Sequence, residues 1–594
     1  MQQVRNRMRK HKNINNLTIE GMEPWQGYHS PKKLAILRKS WAGTFRTHIF
    51  PTLPVEKLSQ YYSDKMGAPT KDLRTAMGAA VLQQIFDLTD EETREQLAFN
   101  QQWHYALDTY NPDEQLFAEK TLWTVRHHLT QDGVCQCIFN EATDEIIKTF
   151  NVDTSKQRMD SVHVHSNMAR LGRVRLMART ITVFLRNLKR HHAIKYRTDI
   201  TEQLRQRYNK EESTGYFGNS KPTESQKRLS EIADDLYWLV EKYSCNEAIK
   251  NMTSYKLMQR VLSEQCVIKE GKVEIKPPKE VPSDSLQNPS DIDAGYDGHK
   301  GQGYQTQLAE TYSRKEDEEG EKSQEELTLD LITYVKVESA DKSDSHALQP
   351  AIDEMEEREI KPDEMLVDSL YGGDDNVNKA KEKQVEIVSP VMGKKSEQDY
   401  SGFEFDEKSM EVKQCPNRKA PERVMHNKKD KITARWAKQD CLNCPLKENC
   451  QTKKGLSGRK LIYTKKEIRL WKRRQREDTP EFKDKYRYRS GIEGTNSRFI
   501  HMTGARRVRY RGLEKVEFAE TLKALGINMF RVARYLIRMG KSIDPIGNFD
   551  LNIAQIALKT GIFSIFCFLK YKIILFYEKY SMKLLLMKNI PKFV

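Results

Sequence analysis

A chain of 594 residues exceeds one ordinary domain, so several modules, some set inside others, are expected. Nine irregularly spaced cysteines exclude a disulfide scaffold and suit the reducing cytoplasm. Lys and Arg number 100 against 84 Asp and Glu, a net +16, and residues 451–510 alone hold 19 basic and 6 acidic side chains, a local +13 that points to a polyanionic partner.

Residues 1–44 read as a basic N-terminal arm in which Arg5, Arg7, Arg9, Lys10 and Lys12 are followed by polar residues, so no secretory signal is expected. Residues 45–150 read as helical. Leu73, Met77, Ala80, Val81 and Ile85 recur at helix spacing, and Thr89 with Glu92 forms a capping box that opens the next helix. A third helix around Leu122, Trp123, Val125 and Leu129 carries Arg126, His127 and His128. Three short helices with a basic third suit a DNA-reading helix-turn-helix, or equally a small structural bundle.

The β-branched alternation from Met159 to His165 predicts a strand bearing Asp160, with His163 and His165 on one face of it, either able to approach a metal there or serving as hydrogen-bonded or surface residues. A helical insertion is expected over 168–268, from the periodicity of Ile181–Leu188 and of Leu229, Ile232, Leu236 and Leu239. The Pro-rich run Lys276–Pro282 marks a linker over 269–290. Tyr304–Tyr312 and Leu331–Val337 read as strands able to pair as a hairpin across the acidic loop 316–319. Ser345 is expected to open a helix through Leu348, Ile352 and Met355, with Asp344 in its cap. A strand Met365–Asp368, a helix Val377–Lys383 and a strand Val385–Val391 follow, and this order argues for a mixed α/β sheet within 151–400.

Residues 401–460 form a Cys-rich insertion. Cys415, Cys441, Cys444 and Cys450 suit a structural zinc ion, or else are reduced, packed thiols. Within 461–545, Trp471 among Lys472, Arg473, Arg474 and Arg476 reads either as a base-stacking residue or as a buried anchor under a solvated basic face. Tyr486, Arg489 and Glu493 stand three and four apart, on one face of an expected helix. Arg506, Arg507, Arg509 and Arg511 form a basic strip suited to phosphate contact. Phe518, Leu522, Leu525, Met529, Val532 and Leu536 make an apolar packing stripe. Residues 546–594 are an apolar tail; its strongest run, Ile562–Tyr577, contains Lys570 and Lys572 and is short for a membrane span, so no membrane partner is expected.

Two divalent ions about 3.5 to 4 Å apart can serve phosphodiester displacement, and magnesium needs a few carboxylates from different elements. Asp160 and Asp368 interrupt or end apolar strands, where an unliganded carboxylate is costly, and Glu493 lies beside Arg489 in the most basic stretch. These three are the candidate metal-binding acids.

The set Asp160, Asp368 and Tyr486-x2-Arg489-x3-Glu493 resembles the DDE transposases of bacterial insertion sequences, in the branch with the YREK signature. The resemblance covers roughly residues 45–540 and extends to Phe86–Glu92, Asp160–Asn167, His299–Tyr304, Asp344–His346 and the Cys-x2-Cys region. It implies an RNase H-like α/β core with helical and Cys-rich insertions, flanked by N-terminal and C-terminal helical regions. It also implies two Mg2+ or Mn2+ ions on Asp160, Asp368 and Glu493, with Tyr486 and Arg489 touching DNA near the cut. The implied reaction is cleavage at the element ends followed by attack of the freed 3′ hydroxyl on target DNA, by a homodimer at the nucleoid acting on double-stranded DNA and no small-molecule substrate. The chain departs from the pattern twice. Ile500 stands where the signature has its lysine, with Arg498 and His501 as neighbouring substitutes, and Ser369-Leu370-Tyr371 replaces the usual turn after Asp368. The rival readings are a metal-dependent structure-specific nuclease without strand transfer, and a DNA-binding remnant without activity.

Overall fold

The computed structural model describes residues 24–541, apart from 28, 68, 132, 209–221, 315–327, 395–397, 428–429 and 456–457, so the tail over 546–594 and the first residues of the arm lie outside it. The chain divides into a unit of Met1–Leu536 and a second of Ile537–Val594.

Helix α1 (Pro31–Lys39) starts where Ser30 accepts the Lys33 N–H and Pro31 takes the first helical position. It buries Leu34 and Leu37, and Trp25, Trp41 and Phe45 are buried too. From residue 24 onward the expected basic arm is therefore core, because its aromatic residues outweigh its scattered cations. Helix α2 (Leu73–Ile85), capped by Asp72, is almost wholly buried, and α3 (Asp90–Phe99) opens with both hydrogen bonds of the Thr89–Glu92 capping box. Helices α4 (Glu119–Leu129) and α5 (Val134–Phe150) complete this helical region, α5 ending at left-handed Asn151.

Strand β1 (Lys156–His165) is followed by a helical insertion of α6 (Arg173–His191), α7 (Ala193–Asp199), α8 (Pro222–Tyr243) and α9 (Thr253–Gln265). The insertion has its own core, in which Ile181, Phe184, Leu188, Ile232, Leu236 and Met258 meet. Its exit is a hairpin of β2 (Cys266–Lys269) and β3 (Lys272–Ile275), so the linker expected at 269–290 begins as a strand; Glu270 and Gly271, both at positive φ, make the turn.

The main sheet adds β4 (Gly295–Asp297), β5 (Gly301–Thr311), β6 (Ile332–Ser339), β7 (Glu364–Leu366) and β8 (Glu386–Val388), with α10 (Leu348–Glu357) before β7 and α11 (Asp374–Glu382) before β8. β5 runs antiparallel to β1 and offers its other edge to β4 and then to antiparallel β6, the expected hairpin. On its other side β1 is parallel to β7, and β7 to β8. Both faces are covered. Val162 and Leu308 pack into the N-terminal helical core, whereas Met159 and Ala309 pack with Leu348, Ile352 and Met365. This period-2 division explains why β5 is buried nearly throughout.

The Cys-rich stretch holds a short pair, β9 (Glu404–Phe405) and β10 (Val412–Gln414), and a second sheet of β11 (Arg423–His426), β12 (Lys431–Ala437), β13 (Lys453–Gly455) and β14 (Gly458–Thr464) in the order β11-β12-β14-β13. Phe403, Trp436, Leu461 and Tyr463 form its core. Then come α12 (Lys465–Glu477), α13 (Pro480–Tyr486), a 3-10 turn Arg487–Ser490, α14 (Gly491–Thr503) and α15 (Leu513–Lys541). Helix α15 sends Phe518, Leu522, Leu525, Met529 and Val532 into the N-terminal core, and Gly526 lets it approach Ile85 of α2, where a Cβ would crowd the isoleucine. Among the described residues no helix is long and apolar enough to cross a membrane.

Candidate active site

Asp160 lies in the middle of β1, and Asp368 follows the end of β7. The parallel register pairs Arg158 with Leu366; carried two residues on, it sets Asp160 beside Asp368. Burial raises the Asp160 carboxyl above its ordinary value, Arg489 opposes this, and the like charges of Asp344 and Asp368 push it further up. The backbone carbonyl of Asp368 accepts the Tyr371 and Gly372 N–H groups at 3.1 and 3.2 Å, and its carboxylate accepts the Ser369 N–H. The departure Ser369-Leu370-Tyr371 thus still makes a closed turn, anchored by buried Tyr371, whose hydroxyl donates to Gln307.

Asp344 belongs to this neighbourhood and not to a helix cap. Ser343, rather than Ser345 or Asp344, caps the 3-10 turn Asp344–His346, and the Asp344 carboxylate accepts the Gln307 amide at 2.9 Å.

Tyr486, Arg489 and Glu493 do not share one helix. Tyr486 ends α13, Arg489 sits in the 3-10 turn and Glu493 in the first turn of α14. The spacing still has its effect: the Arg489 guanidinium bridges Asp160 Oδ2 at 3.3 Å and Glu493 Oε1 at 3.2 Å. Asn496, one turn further along α14, donates to Asp160 Oδ2 at 3.1 Å. Tyr486 stacks on Phe482, with ring centroids 5.5 Å apart. Among the described residues no set of three or more His, Cys, Asp or Glu side chains is placed to hold a metal ion. The hard carboxylates of Asp160, Asp344 and Asp368 nevertheless have the chemistry for a divalent cation, since their mutual repulsion is what such an ion relieves. Asp160 and Asp368 are neighbours; Glu493 reaches Asp160 through Arg489.

A buried network holds α14 against the sheet. Glu310 of β5 has no exposed side-chain surface, and it accepts from Arg158 Nε, Arg531 Nη2 and Thr495 Oγ1, each at 2.7 Å. Burial alone would raise its carboxyl, but Arg531, Arg158 and Thr495 outweigh that and hold it below the ordinary value. Arg158 also donates to the Tyr488 carbonyl at 2.6 Å, and a Cβ on Gly491 would collide with its guanidinium. Asp344, Arg158 and Glu310 are absent from the sequence-derived site. The signal for Glu310 was present: an acid inside an apolar strand, the same signal that singled out Asp160.

Ile500 packs against the N-terminal core, so this position serves packing and not phosphate contact, while Arg498 and His501 are exposed. His163 and His165 alternate out of phase with Asp160 along β1 and do not approach it; burial, His165, Lys300 and Arg506 bring the His163 imidazole down to about 4, so it is neutral at pH 7. Arg506 and Arg507 are exposed, and the Arg506 carbonyl is joined to β1 by the His165 N–H at 2.9 Å. Arg509 reaches the Asp87 carbonyl at 2.9 Å, and Arg511 the Asn167 side chain at 3.1 Å.

Two proposed DNA-reading groups face inward. Arg126 is held by Asp90 and by Gln83, the latter at 2.9 Å, and His128 stacks on Tyr61 at 4.2 Å. Only Trp123 and His127 of that trio's surroundings stack on the exposed side of α4. Trp471 donates to Asp399 at 3.1 Å and packs edge-on to Tyr400, which makes it an anchor of α12. Around it, Arg469 pairs with Asp374, Arg473 with the Gly372 carbonyl and Ser389, and Arg476 with Glu386. Much of the basic charge over 451–510 is consumed inside the protein. Cys415, Cys441, Cys444 and Cys450 line one cavity with Trp436 and Arg459, and burial together with the other three thiols raises that of Cys441.

Two family models match the chain, and both describe transposases. Residues 38–128, the N-terminal helices, match a transposase domain (DUF772). Residues 414–533, from the Cys-rich sheet through α14 and most of α15, match a transposase DDE domain. Together they support a DDE-type transposase, which implies an enzyme that cleaves and transfers DNA, with DNA as its partner. The DDE match includes Glu493 but not Asp160 or Asp368. No curated protein and no solved structure matches the chain.

Proposed function

We propose that this chain cuts DNA at the ends of an insertion sequence and joins the freed 3′ hydroxyl to target DNA, with Asp160, Asp368 and Glu493 as its metal-binding acids. The observation that carries this reading is the parallel register of β1 and β7, which sets two acids side by side at the foot of α14. An RNase H-like core is supported by the sheet itself, four antiparallel strands (β4, β6, β5 and β1) continued by two parallel ones with helices on both faces.

Asp160, Asp368 and Glu493 would hold Mg2+ or Mn2+, which when bound activates the attacking oxygen and steadies the leaving one. Asp344 adds negative charge at the same place. Arg489 counters that charge and ties exposed Glu493 to half-buried Asp160, while Asn496 orients the Asp160 carboxylate. Arg498, Arg506 and Arg507 present cations on the adjoining surface, and Arg509, spanned to Asp87, holds the strip in place. The enzyme acts as a homodimer on paired ends. The sulfur donors of Cys415, Cys441, Cys444 and Cys450, which line one cavity, would hold a structural zinc ion.

The test is nicking of a labelled element end with Mg2+. Asp160→Asn, Asp368→Asn and Glu493→Gln should each abolish nicking while retaining DNA binding; undiminished nicking in any of them overturns that residue's assignment. Appearance of joined product alongside nicks separates a transposase from a nuclease, which would yield nicks alone.

A further inference from the structure

The helical insertion carries a charge pattern that the catalytic reading leaves unused. From Ser161 to Thr198 the chain holds nine Lys and Arg and no Asp or Glu. Along α6 the apolar residues Ile181, Phe184 and Leu188 face the insertion's own core, which turns Arg179, Arg186, Lys189 and Arg190 to solvent; Lys195 and Arg197 of α7 are exposed as well. Helix positions 179, 186 and 190 fall within about 40° of one another at 100° per residue, so they form a stripe, about 17 Å long at 1.5 Å per residue.

An exposed basic face is ordinarily just solvated. Three observations set this one apart. Among the described residues none of the six cations forms an ion pair, whereas the arginines of α12 are largely bound to carboxylates and carbonyls. The charge is segregated within one small core: on α8 the exposed Asp234 and Glu241 are acidic, yet neither pairs with α6. And of the cations Arg179, Arg186, Lys189 and Arg190 on this face of α6, three are arginines, whose planar fork matches phosphate oxygens.

We propose that this face of α6, continued by Lys195 and Arg197, docks on the phosphate backbone of a DNA duplex. The stripe of about 17 Å spans about five base-pair steps at 3.4 Å each, so three arginines can each meet a phosphate. The contact is independent of sequence, since side chains on a surface stripe neutralise phosphates without reading base edges. It rests on DNA as the partner and not on the identity of the catalytic acids.

The experiment measures binding of a labelled duplex of arbitrary sequence to the full chain across a salt series, for R179E/R186E/R190E and for a control with the same charge change at exposed lysines elsewhere in the insertion, K242E/K256E/K272E. Losing three phosphate contacts should flatten the slope of log affinity against log salt by about 2.7 and weaken binding at least tenfold at 0.1 M salt. The control should shift both far less. Should the triple reversal fail to fold, as judged by its thermal transition, R179Q/R186Q/R190Q reads the same slope without added repulsion. A slope and affinity equal to those of the control overturn the proposal. Loss of binding with nicking chemistry intact at saturating protein supports it; loss of nicking in Asp160→Asn with the α6 slope intact would bear on the catalytic reading alone.

Discussion

Replacing Glu310 by Gln removes the single negative charge from a buried group of two guanidiniums and a threonine hydroxyl. Breaking a buried ion pair by removing one partner costs about 3 to 5 kcal/mol, because a charge is left uncompensated. Here the arginine side chains retain 11% and 13% exposure, which lets water reach them, and Gln still offers one acceptor oxygen. The lower end, about 3 kcal/mol, is therefore expected. For a cooperative unit of about 500 residues the unfolding entropy is about 1 kcal/mol/K, so the midpoint should fall by about 3 °C. Differential scanning calorimetry at pH 7 reads this directly. The double variant Glu310→Gln/Arg531→Met should regain part of the loss, since one orphan cation goes with it. Nicking should drop more than DNA binding, because Arg158 and Thr495 no longer fix α14 to the sheet. A midpoint within 0.5 °C of the parent, taking about 0.5 °C as one sixth of the expected effect, would refute the reasoning.

Glu520 is fully buried, and burial raises its carboxyl from 4.5 to about 7 against the pull of Lys523, with Asp87 adding to the rise. An acid whose folded value is raised favours the folded state most at low pH and loses that contribution as pH climbs from about 4.5 to 7. Stability should therefore decline between pH 5 and 8, bounded by about 3 kcal/mol from this group, and decline less in Glu520→Gln; parallel pH profiles would refute it. Metal analysis of the purified chain should find about one zinc ion per chain, lost in Cys441→Ser/Cys444→Ser; four freely titrating thiols and no zinc would rule the site out. Cys135, whose thiol burial pushes up to about 12, should stay unreactive toward thiol reagents at pH 8 whether or not zinc is present, and rapid labelling there would contradict its packing in α5.

The elements that the sequence revealed are those whose signals are local. The capping box at Thr89, the apolar period of α2 and the alternation of β1 each involve residues within a turn or two, and each element forms. Asp160 and Asp368 stood out in the sequence because a carboxylate inside or just after an apolar strand is expensive, and the structure puts Asp160 in mid-strand and Asp368 past the end of β7. What was not legible depends on pairing across long separations. The 3-10 break between Tyr486 and Glu493 preserves the i, i+4 spacing that had suggested a single helix. Arg126 and Arg473 read as free cations, yet their partners Asp90 and Ser389 lie far along the chain, and nothing in a basic run says which members are spent internally. Ile500 looked like a lost phosphate contact, but its apolar side chain follows the inward face of α14. The strands of the Cys-rich stretch escaped notice because they are short and their apolar residues are interspersed with cations such as Arg423, Lys431, Arg435, Arg459 and Lys460.

The helices from Trp25 to Ile146, the sheet residues Val162 and Leu308, and α15 contribute to one continuous apolar cluster. A cut at residue 150 would therefore divide the polypeptide without dividing the solid. Exchanging the N-terminal helices for those of another protein would have to carry α15 along with them, although some 360 residues separate them in the chain. The two ends of the chain are then inherited as a pair: drift inside the N-terminal helices is felt at the sheet through shared side chains, whereas changes on their outer surface, where Trp123 and His127 stack, leave that core intact.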